Sequence, residues 1–323
     1  MNTTIKGIHH VTAMTSSAKK IYRFFTDILG LRLIKKTVNQ DDIETYHLFF
    51  SDDLGSAGTD MTFFDFPGLP KGTKGTNSIS RTSFRVKTDA SLTYWANRLA
   101  SHQIEHGEIL ERFGKKYLEF SDFDGQSYQL ISDAHDTGVA SGIPWKKSDV
   151  PFEHALVGLG PIFITIADYT QMQYILVDVL GFQLIDAEGS FHLFQVGEGG
   201  NGASIIVEHQ ADQPEAQEGF GLVHHLALRV SNADALRFWI ARISQLHLPN
   251  SGFVERFYFQ SEYFRAAPQI LFELATDGPG FLEDESYETA GEKLALPPFL
   301  EPKRKEIEAF VRPLDTSDSN TPR

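Results

Sequence analysis

Two His-His pairs and one carboxylate set in an apolar strand are the residues of this sequence best suited to hold a metal ion. The pairs are His9-His10, in the run GIHHVTA at 7–13, and His224-His225, in VHHLALRV at 223–230. The carboxylate is Glu273, flanked by Leu271, Phe272, Leu274 and Ala275. An ionised carboxylate among such neighbours is costly unless a partner meets it. Two imidazoles and one carboxylate on one face of a metal leave about three octahedral positions open, the arrangement of non-haem Fe(II) oxygenases. Those positions accept a bidentate diol and O2 together, while the protein orients, neutralises and shields the reactants. A single His-His pair is ordinarily a satisfied core histidine, and Glu273 on an edge strand would simply be hydrated. The argument for a metal rests on recurrence, because the two pairs occupy equivalent places in a repeat.

Alternation along the strands says which residues share a face. His10, Thr12 and Met14 lie on one face of the first strand, and His9, Val11 and Ala13 on the other. In the later run, His225, Ala227 and Arg229 oppose His224, Leu226, Leu228 and Val230. The apolar face should pack on a helix, which puts His10 and His225 on the open side of a curved sheet. His9 and His224 then fall on the helix side or at its rim. The same parity buries Phe272 and Leu274 under the helix and turns Glu273 to the open side.

Internal repetition supplies the elements that carry these residues. The run at 7–12 leads into a helical pattern from Ala18 to Ile28, with Ile21, Phe24, Phe25 and Ile28 at helical spacing, closed by Leu29-Gly30. Strand-like runs follow at Leu31 to Thr37, Thr45 to Ser51 and Met61 to Phe66. The order recurs from Pro161, with a helix from Thr170 to Val179 and Gly181 in the place of Gly30. A second related pair begins at Ser80 and His224. Its helices run from Ala90 to Ser101 and from Ala233 to Leu246, and each closes on a matching strand at 127–133 or 271–277. We read four βαβββ units at 7–67, 78–133, 157–209 and 221–276. By chain order these give an N-terminal domain at 1–140 (units one and two), a linker at 141–156 and a C-terminal domain at 157–285 (units three and four). The whole connecting stretch, 134–156, is rich in Gly, Ser, Pro and charge. The proline- and charge-rich stretch 286–323 is expected to be an extended tail, disordered after about Pro313.

Composition narrows the function. The 323 residues are 41% hydrophobic and 22% charged, ordinary for a globular chain of two domains. The 26 phenylalanines suit strands and an aromatic-lined pocket. A net charge of −14 repels phosphate backbones and argues against nucleic acid as a partner. There is no cysteine, which excludes disulfides, zinc-thiolate sites and thiol nucleophiles. The first residues, MNTTIKGIHHVT, hold no apolar run of signal-peptide length, and no run approaches the roughly 20 apolar residues of a membrane span. A cytoplasmic protein with no membrane partner is expected.

The runs GIHHVTA, LGLRLIKKTVNQDD, TYHLFF, GTDMTFFDFPG, VHHLALRV and RFYFQSEYFRAAPQILFELATDGPGF, spread over about 5 to 283, resemble ring-cleaving dioxygenases that act on hydroquinones. These form a branch of the vicinal oxygen chelate (glyoxalase/bleomycin resistance/dioxygenase) superfamily. The resemblance implies an α+β fold of four βαβββ modules paired into two domains, each a curved, mostly antiparallel sheet around a cavity. It implies that units one and four share a metal site and that units two and three form a metal-free pair. The implied ligands are His10, His225 and Glu273, the same three that strand parity selects. His9, Thr12, His224, Arg256 and Tyr263 are the implied residues beside metal and substrate, and only the resemblance nominates Arg256 and Tyr263. The implied cofactor is Fe(II), with O2 as co-substrate and a small aromatic diol as substrate. Mn(II) suits the same ligands, and a homo-oligomeric state is left open. His9 and His224 are of the residue type that carries protons near neutral pH. Arg256 could hold a phenolate, and Tyr263 could donate to a bound oxygen. Tyr46-His47 matches the family pattern without an assigned role.

Two other readings stay open. A glyoxalase-type isomerase or lyase adds a second carboxylate ligand from the matching strand of unit one. Phe63 and Phe64 stand near that place, with Asp65 a residue or two away. A non-enzymatic small-molecule binding protein, as in resistance members of the superfamily, would lack the triad. Units two and three offer Arg81 with Gln129, and Pro161 with Val207 or Glu208, which implies one metal per chain.

Overall fold

The computed structural model describes residues 3–267 and 270–323. Each module is a strand, a helix and a three-strand meander. Module 1 holds β1 (Ile8–Met14), α1 (Ala18–Arg23), β2 (Arg32–Asn39), β3 (Asp42–Ser51) and β4 (Asp60–Phe64). Module 2 holds β5 (Ser78–Val86), α2 (Asp89–Ser101), β6 (His106–Arg112), β7 (Lys115–Ser121) and β8 (Ser127–Ser132). Module 3 holds β9 (Leu156–Ile166), α3 (Tyr169–Tyr174), β10 (Gln183–Glu188), β11 (Phe191–Gln195) and β12 (Ser204–His209). Module 4 holds β13 (Val223–Val230), α4 (Ala233–Gln245), β14 (Val254–Glu255), β15 (Gln260–Ala267) and β16 (Ile270–Thr276).

The expected helices form where the spacing put them, with one refinement. In modules 1 and 3 the helix widens into a π turn, at Phe24–Ile28 and Ile175–Val179. The Ser17 and Asp168 side chains cap the two starts. Gly30, with φ +70°, ends the first in the left-handed region that glycine tolerates. Ile21, Tyr22, Phe24 and Phe25 from this helix are buried with Leu48, Phe50 and Phe63 from the strands beneath.

Two eight-stranded sheets result, in the orders β14-β15-β16-β13-β1-β4-β3-β2 and β10-β11-β12-β9-β5-β8-β7-β6. Modules 1 and 4 therefore share one sheet and modules 2 and 3 the other. Each of the chain-order spans 1–140 and 157–285 thus contributes one module to each sheet, the pairing that the resemblance implies. The physical reason lies at the seams. Each module leaves its first strand with a free edge, and antiparallel pairing of β1 with β13, and of β5 with β9, satisfies those edges. The alternation pattern does not say which module supplies the partner. Gly7 shows how tightly the two sheets meet ahead of the first His pair. Its φ is +143°, and a Cβ there would lie 2.7 Å from the Gly202 carbonyl oxygen.

The tail departs from expectation. Glu301–Lys303 and α5 (Arg304–Phe310) form short helices, and the chain after Pro313 is docked rather than disordered. Thr316, Ser319 and Asn320 are buried. Arg32 donates to Asn320 at 3.0 Å, Tyr22 to Asp318 at 2.7 Å, and Thr316 to the Gly291 carbonyl at 2.8 Å. Upstream, Lys35 is fully buried on β2 between Asp284, at 2.7 Å, and Glu285. The tail's polar groups look like disorder when counted alone, but they answer cations and tyrosines that module 1 buries.

Candidate metal centre

His10 on β1 and His225 on β13 meet across the seam, where His10 pairs with Ala227 and Thr12 with His225. Glu273 comes from β16, beside Ala227. His10 Nε2 lies 3.1 Å from Glu273 Oε2, His225 Nε2 lies 3.0 Å from the same oxygen, and the two nitrogens are 3.3 Å apart. All three residues are buried, Glu273 completely. Ser261 donates to Glu273 Oε1, whereas Oε2 receives no hydrogen bond of acceptable geometry among the described residues. A buried, orphaned carboxylate oxygen between two imidazole nitrogens is a cluster of lone pairs that calls for a cation.

Each flanking histidine meets its neighbour through Nδ1. His9 Nδ1 is 2.9 Å from His10 Nδ1, and His224 Nδ1 is 2.8 Å from His225 Nδ1. If Nδ1 of each ligand histidine carries the hydrogen, it donates to its neighbour and leaves Nε2 free for a metal. His9 then donates through Nε2 to the Thr276 carbonyl, 3.0 Å away. This corrects the helix-side placement of His9 and His224. Register shifts between Ile8 and His10, and between Thr12 and Ala13, break strict alternation at this seam. Both neighbouring rings therefore lie beside the rings of His10 and His225.

Electrostatics support the same protonation state. Burial alone would push the Glu273 carboxyl up, but His10 and His225 outweigh it and hold it well below the usual range. Burial lowers His225, with Glu273 partly opposing. Burial, and then the adjacent histidine, lower His9 and His224 to about 3. Neutral imidazoles with an ionised carboxylate are the metal-binding form.

A cavity of about 470 Å³ opens above the triad, lined on one side by His47, Phe49 and Phe64 of module 1 and on the other by Arg256, Tyr263 and Leu271 of module 4. Arg256 donates to the Tyr263 hydroxyl at 3.2 Å and pairs with Asp41 at 2.8 Å, so it bridges the β2–β3 turn and the opposite wall. The Tyr263 ring stands 5.9 Å from that of His225, edge to face. Burial, reinforced by Glu273, pushes the Tyr263 phenol up, so it remains a donor. His224 also lines the cavity, whereas His9 and Thr12 lie behind its surface. Thr12 Oγ1 meets Thr62 Oγ1 at 2.7 Å, and Thr62 meets His47 Nε2 at 2.9 Å.

Strand register corrects the expected position of a fourth ligand. Thr12 pairs with Thr62 as Ala227 pairs with Glu273, so the counterpart of Glu273 in module 1 is Thr62, not Phe63 or Phe64. Asp65 accepts from Arg312 and the Tyr46 amide instead of turning to the triad. In module 3, Phe163 pairs with Ile206, which replaces Val207 or Glu208 as the counterpart. In module 2, Gln129 is opposite Ser83, as expected. Parity along β3 would have pointed to His47 and Phe49, because Tyr46, Leu48 and Phe50 alternate with them into the core.

The glyoxalase/bleomycin resistance protein/dioxygenase superfamily model matches residues 7–130 and 158–274. The chain belongs to this superfamily. It is 41% identical over 315 residues to "Putative ring-cleaving dioxygenase MhqA" of Bacillus subtilis (strain 168), covering 96% of this chain and 99% of that one. It is 31% identical over 313 residues to the "Chlorohydroquinone/hydroquinone 1,2-dioxygenase" of Sphingobium indicum, covering 94% and 95%. A crystal structure named as a "putative dioxygenase" from B. subtilis superposes with a TM-score of 0.89 at 33% identity, covering 97% and 98%. The two curved sheets are those of the vicinal oxygen chelate fold.

Proposed function

We propose that the chain is a non-haem Fe(II) dioxygenase that opens the ring of a hydroquinone- or catechol-type aromatic diol and incorporates both atoms of O2. The carrying observation is the buried His10–His225–Glu273 triad at the base of an aromatic-walled cavity. Full-length similarity to relatives named as ring-cleaving and hydroquinone dioxygenases supports it. Bound iron supplies the electron transfer that couples an aromatic diol to O2, and Mn(II) could occupy the same ligands. The chain's own residues prepare the site. His9 and His224 orient the ligand rings, Phe49, Phe64 and Leu271 exclude water, and Tyr263 and Arg256 face a substrate oxygen. A hydroxyl at Thr62, where a four-ligand isomerase site would place a carboxylate, favours the dioxygenase reading over the glyoxalase-type one.

The test is anaerobic reconstitution with Fe(II), followed by O2 consumption with 2-methylhydroquinone and with catechol. Stoichiometric O2 uptake with loss of the aromatic absorbance is expected. Turnover of a hemithioacetal with nickel or zinc, without O2 uptake, would overturn the proposal in favour of the isomerase. Among the described residues, no helix is long and apolar enough to cross a membrane.

A further inference from the structure

The symmetry of the 1/4 sheet extends beyond the two ligand histidines. The β1–β13 pairing exchanges His10 with His225 and Thr12 with Ala227. It follows that Thr62 answers to Glu273. One strand further out, His47 is opposite Phe64 and Ser261 is opposite Ala275, each two positions beyond the residue just matched. His47 is therefore the counterpart of Ser261. Both pairs are hydrogen-bonded, but their sizes are exchanged. In module 4 a short hydroxyl, Ser261, supports a long carboxylate, Glu273. In module 1 a long imidazole, His47, bonds at 2.9 Å to a short hydroxyl, Thr62.

The exchange has two consequences. Thr62 is too short to reach the histidine nitrogens, and its hydroxyl is already engaged by Thr12 and His47. The corner related by symmetry to Glu273 therefore holds no protein ligand. His47 overlooks that corner from the cavity wall, its ring centroid 3.9 Å from that of Phe49 and 4.4 Å from that of Phe64. Its Nε2 is occupied by Thr62, while no hydrogen bond among the described residues engages its Nδ1. Burial, and then the facing His10 and His225, hold His47 well below its usual value, so it is a neutral ring. A neutral imidazole can donate or accept at Nδ1, according to how Thr62 orients its hydroxyl.

We infer that His47 is a substrate-contacting residue whose Nδ1 hydrogen-bonds an oxygen of the aromatic diol at the open corner, and that Thr62 is the positioning residue that fixes the ring and keeps the corner free. The inference rests on the proposed dioxygenase reading for its substrate. The open corner itself rests only on the symmetry.

The test uses the full chain loaded with Zn(II) or, anaerobically, with Fe(II). His47→Ala should keep one metal per chain by elemental analysis and bind 2-methylhydroquinone about tenfold more weakly, as expected for one lost hydrogen bond to a buried group. His47→Asn should recover most of that affinity. The paired change Thr62→Glu with His47→Ser copies the Glu273–Ser261 arrangement. It should tighten Zn(II) binding and abolish the 2-methylhydroquinone titration. Should the paired variant not fold, Thr62→Val carries the same question, with weakened 2-methylhydroquinone binding and unchanged metal content expected. Unaltered 2-methylhydroquinone affinity in His47→Ala, or metal loss there equal to the affinity loss, overturns the assignment of His47. Unaltered Zn(II) affinity in a folded paired variant overturns the open corner. If the parent protein binds no 2-methylhydroquinone at all, the dioxygenase reading fails, and the Zn(II) comparison still decides the corner.

Discussion

The two sheets share one backbone plan, yet one encloses a cavity of about 470 Å³ over two histidines and a glutamate and the other a cavity of about 50 Å³. At the equivalent concave positions the 2/3 sheet carries Arg81, Pro161, Gln129 and Ile206. Arg81 is paired with Glu119 at 2.7 Å and set 4.7 Å over the Phe163 ring. The lesson is that the curved sheet provides a place for chemistry, and four side chains on its inner face decide whether there is any. The outer edges differ too. Edge strand β2 is buried under the tail, whereas edge strands β6 and β10 are largely exposed.

The largest effect on this contrast should come from removing the carboxylate. Glu273→Ala should retain essentially no metal after reconstitution and dialysis, and its O2 uptake should fall to background. Full occupancy by elemental analysis would refute the ligand assignment. The next effect concerns the flanking pairs. His9→Ala and His224→Ala should each weaken metal binding by about 10–100-fold, the usual cost of losing a group that orients a ligand. His9→Ala should be the more damaging, because His9 is anchored to the Thr276 carbonyl and His224 borders the open cavity. A competition titration with a chelator would rank them.

A smaller effect separates the helix-facing side of β15 from its counterparts. Glu262 is opposite Leu274, where β3 has Leu48 and β7 has Leu118, both fully buried. Glu262 is itself buried, with neither carboxylate oxygen hydrogen-bonded among the described residues, and burial pushes its carboxyl up to about 8. The native state therefore holds this proton more tightly than the unfolded chain. Its contribution is complete at acidic pH and is lost as pH rises from roughly 4.3, the unfolded value, through about 8. Glu262→Leu should stabilise the protein by on the order of 2 kcal/mol at pH 8 and by less at pH 5. Denaturant titrations at the two pH values would show a pH-independent gain if this account is wrong.

The smallest change is expected from grafting. The triple variant Arg81→His, Pro161→His and Gln129→Glu should still bind one metal per chain, because the 2/3 cavity leaves little room for the ion and its outer ligands. A second equivalent would show that the four inner positions suffice without the volume.

Much of this was legible in one chain. The helix at Ala18 and its relative at Tyr169 follow from apolar spacing, and the four repeats from self-similarity, because both signals are local. Alternation alone turned His10, His225 and Glu273 to one face, since side chains on a strand have a period of two. It misplaced His9 and His224, because a bulge changes the period without leaving a mark in residue type.

What the sequence determined by itself was the repeat, the elements and the three residues able to meet a cation. Tertiary structure decided which modules pair, how far the triad lies from His47, Arg256 and Tyr263, and that the last ten residues dock. Those outcomes depend on which free strand edge meets which and on how charges far apart in the chain find one another. Such contacts join residues more than 200 positions apart, as between His10 and His225 or Arg32 and Asn320, and no local pattern encodes them.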